Sequence, residues 1–221
     1  MKVVIIAGGK GTRLGRTDVA KPMVPILGKP ILEYQIELAK KYSLNDIFIL
    51  SGYKSESIIN YFGDGSKWKV NITHIVEKKA LGTAGAVKQL ENLITDRFIV
   101  FYGDTIMDIN LKKMIEYDNL TSSLGTLLVH PNDHPYDSDL IDIDSQTNQI
   151  LSFKSKPHDD GYKSNLVNAA LYILSSDIFA HIEDGLNCDF GKDIFPLIIS
   201  KNLILNAYHT AEYIKDMGTP D

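Results

Sequence analysis

The chain has 221 residues, 44% hydrophobic and 23% charged, with a net charge of -5. That is length enough for a substantial core, and the acidic balance argues against a general nucleic-acid-binding surface, so any anion site must be a local basic pocket. No apolar run approaches the ~20 residues of a membrane span, and Lys2 is followed by only five apolar residues before the first glycines, which is not a signal-peptide pattern. Cys188 is the sole cysteine, so no internal disulfide can form and a cytoplasmic location fits. Its expected role is a small core or loop residue; a reactive thiol is the sharper alternative.

A strand predicted over residues 3–7 runs straight into Gly8-Gly9-Lys10-Gly11-Thr12-Arg13-Leu14, and a second basic element, Lys21-Pro22, follows. Ile31, Tyr34, Leu38 and Tyr42 stand at near-helical spacing and predict a helix over 31–42. Residues 46–50 read as a short apolar strand, and 55–62 as a helix with Ser55 or Ser57 near its N-cap. A turn at 63–66, a strand at 70–76, a helix at 83–93 and a buried strand at 97–101, ending at Gly103-Asp104, come next. Strands that alternate with helices predict a mostly parallel sheet with right-handed crossovers. Farther on, 124–129 and 166–174 read as strands, and 140–144 with 150–153 as a hairpin. Residues 176–182 and 191–200 read as helices, then 203–208 and 212–214 as strands. There is no internal repeat, low-complexity segment or linker, so one domain in two lobes is expected.

Gly8, Gly9 and Gly11 let backbone N–H groups come close to a ligand, and successive N–H groups in such a loop make a concave anion site. Arg13 offers a planar fork of donors to phosphate oxygens and Lys21 a point charge. The pattern is neither G-x-x-x-x-G-K-[ST] nor G-x-G-x-x-G, and bare glycines after a strand also make plain tight turns. In open α/β sheets the ligand lies beyond the carboxyl ends of the strands. The loops carrying Ala7 to Thr12, Gly82 with Thr83, and Gly103 are therefore expected to line a nucleotide, and the small residues around Gly82 permit close approach of a flat base. Asp104 ends an apolar strand and Asp216 stands near the end of another; together they can clamp one Mg²⁺ against a phosphate. Each Asp alone also reads as the cap of a turn, and Asp108 is a weaker metal candidate. Lys156 can hold the phosphate of an acceptor sugar, although a solvated hairpin end is the usual fate of a lysine there, as it is for Lys154. Asn168, in an apolar strand, must find partners, and sugar hydroxyls would serve. His130, Asp133 and His134 hint at a metal site, but the two neighbouring prolines favour a plain loop.

Read together, Gly-Gly-x-Gly-Thr-Arg-Leu at 8–14, Lys21-Pro22, Gly28-Lys29-Pro30-Ile31-Leu32, Leu81-Gly82-Thr83-Ala84-Gly85, Gly103-Asp104, Lys156-Pro157, Asn168-Ala169 and Asp216-Met217-Gly218-Thr219-Pro220 resemble, in order and over essentially all of the chain, the sugar-1-phosphate nucleotidyltransferases. The likeness looks closest to bacterial enzymes that act on mannose or D-glycero-D-manno-heptose 1-phosphate with GTP. It implies a Rossmann-like, mostly parallel mixed sheet flanked by helices, of the nucleotide-diphospho-sugar transferase type, with Mg²⁺ as cofactor. It further implies Arg13 on the triphosphate, Lys21 at the reacting phosphate, Asp104 and Asp216 on Mg²⁺, Lys156 on the sugar phosphate and Asn168 on the sugar. A nucleotide-binding half over about 1–110 and a sugar-binding half over about 111–221 follow, with an NTP and a sugar 1-phosphate as the partners. Neither nucleic acid nor membrane is expected, and a homo-oligomer is left open. Three positions depart from the family's pattern: Ala20 where proline precedes Lys-Pro, Ala170 where glycine ends Asn-Ala-Gly, and Gly191 where glutamate precedes Lys-Asp. Many relatives continue beyond this point, so the chain is also expected as one module of a longer polypeptide. A regulatory module that binds a sugar nucleotide without turnover is the rival class, and it would have no need of the metal carboxylates. UTP, dTTP and CTP are the rivals of GTP.

Overall fold

The computed structural model describes residues 1–9, 19–133, 135–156, 158 and 165–217. The strands are β1 (Lys2–Ala7), β2 (Pro25–Ile26), β3 (Lys29–Pro30), β4 (Asp46–Ser51), β5 (Asn71–Val76), β6 (Phe98–Tyr102), β7 (Thr105–Asp108), β8 (Gly125–Pro131), β9 (Leu140–Ile143), β10 (Ile150–Lys154), β11 (Leu166–Leu174), β12 (Leu205–His209) and β13 (Tyr213–Asp216). The α-helices are α1 (Ile31–Lys41), α2 (Ser55–Phe62), α3 (Gly82–Lys88), α4 (Leu111–Asn119) and α5 (Phe195–Ser200). They gather into two compact units interleaved along the sequence: Met1–Ala80, Phe98–Ile109 and Glu212–Asp221 form the first, and Leu81–Arg97 with Asn110–Ala211 the second. Among the described residues, no helix is long and apolar enough to cross a membrane.

In the first unit β6, β1, β4 and β5 lie side by side, all parallel. β1, β4 and β6 are nearly unbroken apolar runs, buried from Val3 to Ile5, Ile47 to Leu50 and Phe98 to Phe101, as parallel strands covered on both faces must be. Ala7 stands opposite Ser51, Ser51 opposite Val76, and Ile6 opposite Tyr102. All four strands therefore end at one edge, and the first residues beyond it are Gly8, Gly52, Glu77 and Gly103. Helix α1 buries Ile31, Leu32, Gln35, Ile36, Leu38 and Ala39. Gln35 Nε2 donates to the carbonyls of Tyr102 at 2.5 Å and Thr105 at 2.7 Å, tying the turn after β6 to the helix.

In the second unit β8 runs antiparallel to β11 and parallel to β12, and β9 with β10 forms the expected hairpin. Arg97 donates through Nε and Nη2 to Asp118, whose side chain is wholly buried and also accepts from Thr126. Phe153 of β10, Tyr172 of β11, Phe195 of α5 and Phe190 form an aromatic cluster.

Several local expectations are corrected. The helix expected over 83–93 stops at Lys88, and Leu90, Glu91 and Leu93 instead donate three residues back, a tighter winding that keeps the same apolar spacing. Residues Ser176–His181 are a 3₁₀ helix rather than an α-helix. The helix expected over 191–200 opens as a π-helical turn, Phe190–Ile194, before α5, because Pro196 has no N–H to continue the regular ladder. Neither serine caps α2: Lys54 holds that position in a left-handed conformation, and the Ser57 hydroxyl donates to its carbonyl. The β2–β3 hairpin, β7 and α4 carry too short or too polar a pattern to stand out in the sequence.

Candidate active site

The edge of the first unit is assembled around a residue without a side chain. Gly103 N donates to the Ile6 carbonyl at 2.8 Å, and a Cβ at Gly103 would fall 2.9 Å from that oxygen and 3.3 Å from Pro22. The close approach brings Asp104 against the 3₁₀ turn Lys21–Met23, where Lys21 Nζ forms an ion pair with Asp104 Oδ2. The ribbon of β7 and β13 delivers the second carboxylate. Asp216 stands opposite Thr105, Met217 N donates to the Asp104 carbonyl at 2.9 Å, and Asp216 Oδ1 lies 3.7 Å from Lys21 Nζ. Residues 21, 104 and 216 are thus one charged group, with Lys21 nearly buried (13% exposed) between two carboxylates. Asp108 is not part of it, since it pairs with Lys41 at 3.5 Å. Gly11, Thr12 and Arg13 lie outside the described residues.

The donor set fits a hard cation. Two carboxylates lie against one lysine, and among the described residues no group of three or more His, Cys, Asp or Glu can hold a metal by itself. Mg²⁺ takes one or two protein carboxylates and completes its shell with water and phosphate oxygens.

Glu77, the residue after β5, joins this edge and was not singled out from the sequence. Its Oε2 lies 2.6 Å from where a Cβ on Gly8 would stand and 3.5 Å from the same point on Gly52. Its Oε1 is buried and has no hydrogen-bond partner among the described residues. Burial pushes the carboxyl above its ordinary range, because the charged form loses solvation there. The signal available in the sequence was position alone: a charged residue where a parallel strand reaches the glycine-lined edge.

In the second unit Gly82 (φ 73°) and Gly85 are small for packing reasons: a Cβ on the first would collide with the Cys188 carbonyl, and on the second with the Leu186 carbonyl. The Cys188 carbonyl accepts from Ala84 N at 3.0 Å and Gly85 N at 3.2 Å, so it closes the start of α3. The Thr83 hydroxyl donates to Asp189 Oδ2 at 2.8 Å and accepts from Phe190 N at 2.9 Å. The Cys188 thiol is pushed above its ordinary range, first by burial and then by Asp193 and Asp189, the opposite of an activated thiolate. Asn168 Nδ2 donates to the Tyr172 hydroxyl at 2.8 Å, and its Oδ1 accepts from Ala170 N at 3.2 Å. Lys156 is exposed after β10, while Lys154 pairs with Asp142 at 3.6 Å. His130 donates through Nδ1 to the Pro131 carbonyl, and His134 lies outside the described residues.

The profile of the nucleotidyl transferase family matches residues 2–221. The chain belongs to that family. Among its relatives is the UTP–glucose-1-phosphate uridylyltransferase of Synechocystis sp., 29% identical over 237 residues that take in all of this chain but 61% of that protein. The D-glycero-alpha-D-manno-heptose 1-phosphate guanylyltransferase of Campylobacter jejuni is 33% identical over 224 residues, covering all of this chain and 96% of that one. The crystal structure of HddC from Yersinia pseudotuberculosis complexed with GMP-PN superposes with a TM-score of 0.84 at 30% identity, over 99% of this chain and 94% of the other. The first two are named as sugar-1-phosphate nucleotidyltransferases, and the superposition on the third shows that this chain has the same fold, a mostly parallel mixed sheet flanked by helices.

The departures from the family pattern have structural answers in this chain. Ala20 is wholly buried at φ -64° and ψ 141°, the backbone a proline would hold, and Met23 N donates to its carbonyl, so Lys21 is still presented by a fixed turn. Ala170 keeps a glycine-like backbone at φ 55°, where the pairing of β11 with β8 slips between Asn168 and Tyr172. Gly191 leaves open a flank that an aspartate enters.

Proposed function

We propose that the protein transfers a guanylyl group from GTP to a sugar 1-phosphate, giving a GDP-sugar and pyrophosphate. The observation that carries the reading is the grouping of Lys21, Asp104 and Asp216 at the glycine edge of a parallel sheet. The sugar phosphate oxygen attacks the α-phosphorus of the nucleotide as the bond to the β-phosphate breaks, and pyrophosphate leaves with the electron pair. No covalent enzyme intermediate is needed, so catalysis reduces to positioning and charge neutralisation. Lys21 neutralises the reacting phosphate, and Arg13 with the N–H groups of the Ala7 to Thr12 loop holds the triphosphate. Asp104 and Asp216 would hold Mg²⁺, which supplies further neutralisation at the phosphates when bound.

Glu77 supports GTP as the donor. Guanine presents N1–H and its 2-amino group side by side, two donors for one carboxylate. Uracil and thymine present a single N–H flanked by carbonyl oxygens, which a carboxylate repels. A buried oxygen without a partner is the kind of group through which a site rejects the wrong base, because only the right one satisfies it. On the acceptor side, Lys156 takes the sugar phosphate and Asn168 a sugar hydroxyl. The guanylyltransferase of Campylobacter jejuni, matched nearly end to end, supports a heptose or mannose 1-phosphate. The test is kcat/KM for GTP, UTP, dTTP and CTP with Mg²⁺ and each of a panel of sugar 1-phosphates. A clear preference for GTP is expected; an equal or higher value for UTP or dTTP would overturn the guanylyl assignment and leave nucleotidyl transfer standing.

A further inference from the structure

Lys156 and Asn168 are organised by a residue that no motif singled out. The Asp139 carbonyl accepts from Asn168 N at 3.0 Å, and Asp139 Oδ1 accepts from Lys156 N at 3.2 Å. One residue therefore fixes the main chain of both. Its second carboxylate oxygen, Oδ2, lies 3.0 Å from where a Cβ on Gly191 would stand. Ser155 Oγ donates to the Gly191 carbonyl at 3.0 Å, which holds the glycine in place against this strand end. A side chain at 191 would press on this carboxylate and on the Phe153 ring, 3.1 Å from the same point, and no described residue donates a hydrogen bond to Oδ2. Where the family resemblance leads one to expect a glutamate at 191, the acid on that flank comes from position 139.

We infer that Asp139 reads the sugar: its carboxylate accepts hydrogen bonds from ring hydroxyls of the aldose 1-phosphate whose phosphate Lys156 takes, and so selects among acceptor sugars. The inference rests on the proposed sugar-nucleotide chemistry. Its physical basis is local. A half-buried carboxylate has one oxygen anchored by a backbone N–H and the other without a donor among the described residues. It stands between a lysine suited to a phosphate and an asparagine suited to a hydroxyl. Hydroxyl-to-carboxylate hydrogen bonds are charge-assisted and roughly twice as strong as neutral ones, so such a group dominates the choice of sugar.

The experiment measures affinity and turnover separately. Mannose 1-phosphate, D-glycero-D-manno-heptose 1-phosphate and glucose 1-phosphate, each with its deoxy analogues, are titrated calorimetrically into wild type and Asp139→Asn. Steady-state KM values for the sugar phosphate and for GTP are then measured on both. Asn keeps an acceptor for Lys156 N and the size of the side chain, so the strand end is preserved, and matching thermal unfolding of the two proteins checks this. The expected result is about 10- to 100-fold weaker binding of the preferred sugar phosphate, with KM for GTP unchanged. One deoxy analogue should bind wild type as weakly as the parent sugar binds the variant, and the variant should no longer distinguish that pair. Equal sugar affinity in both proteins, or a variant that still discriminates against every deoxy analogue as wild type does, overturns the assignment. Sugar binding that weakens as expected while no NTP yields pyrophosphate sinks the transferase reading and leaves Asp139 as a sugar-reading residue.

Discussion

Lys21 carries the largest burden at the scale of single residues. Its ammonium is nearly buried and lies against both Asp104 and Asp216, the carboxylates proposed to hold the metal. Removing one preorganised electrostatic partner of a reacting phosphate typically costs 10²–10³ in rate. Lys21→Ala is expected to lower kcat by about that factor with an unchanged far-ultraviolet circular dichroism spectrum, and near wild-type pyrophosphate release would contradict the role. Asp104→Asn and Asp216→Asn should each need far more Mg²⁺ for half-maximal rate, because a single carboxylate holds this ion poorly. A Mg²⁺ titration that superposes on wild type would remove that residue from the site. Glu77 makes the opposite trade between stability and function. Its carboxyl is raised above the ordinary value of 4.5 by burial, so the folded chain binds that proton more tightly than the unfolded chain. Its stabilising contribution is complete below the ordinary range and is lost as pH rises through the raised value. Glu77→Gln, which never ionises, should therefore unfold at a higher temperature than wild type at pH 7, with the difference closing below pH 4.5, while kcat/KM for GTP falls. A variant with lower thermal stability at pH 7 and undiminished use of GTP would refute both halves.

At the scale of elements, what was legible and what was not divide along physical lines. β1, β4 and β6 were plain because strands buried on both faces read as unbroken apolar runs, and the glycines after them marked the functional edge. Glu77 was missed because nothing local distinguishes a buried carboxylate from a solvated one; its meaning comes from Gly8 and Gly52, far away in sequence. Asp139 was missed likewise, since its role depends on the absence of a side chain 52 residues later, at Gly191. Gly82 and Gly85 drew attention as room for a base, whereas the Cys188 and Leu186 backbones occupy the space beside them. The bulge in β11 offers a direct test of backbone strain. Ala170 sits at φ 55°, a conformation that costs an L-residue about 1–2 kcal/mol relative to glycine. Ala170→Gly should then raise the unfolding free energy by up to about 1 kcal/mol, less the extra freedom glycine gains in the unfolded chain. A loss of stability in urea unfolding would show that the bulge is not strained.

The whole molecule joins two compact units from alternating segments of one chain, and each carries its own share of the proposed chemistry. The first holds Lys21, Asp104, Asp216 and Glu77; the second holds Lys156, Asn168 and Asp139. Family membership rests on a match along nearly the entire chain, and the described geometry gives a reason for Gly82, Gly85 and Gly103 within its motifs. The central claim is transfer between two substrates rather than binding of one or hydrolysis of the other. It is tested by product analysis: GTP and a heptose or mannose 1-phosphate are incubated with the protein and Mg²⁺, and nucleotide products and pyrophosphate are quantified by ³¹P nuclear magnetic resonance. The account predicts one GDP-sugar for every pyrophosphate, and neither product when the sugar phosphate is left out. Pyrophosphate or phosphate released without sugar phosphate, or no turnover with any NTP and sugar 1-phosphate, would contradict it.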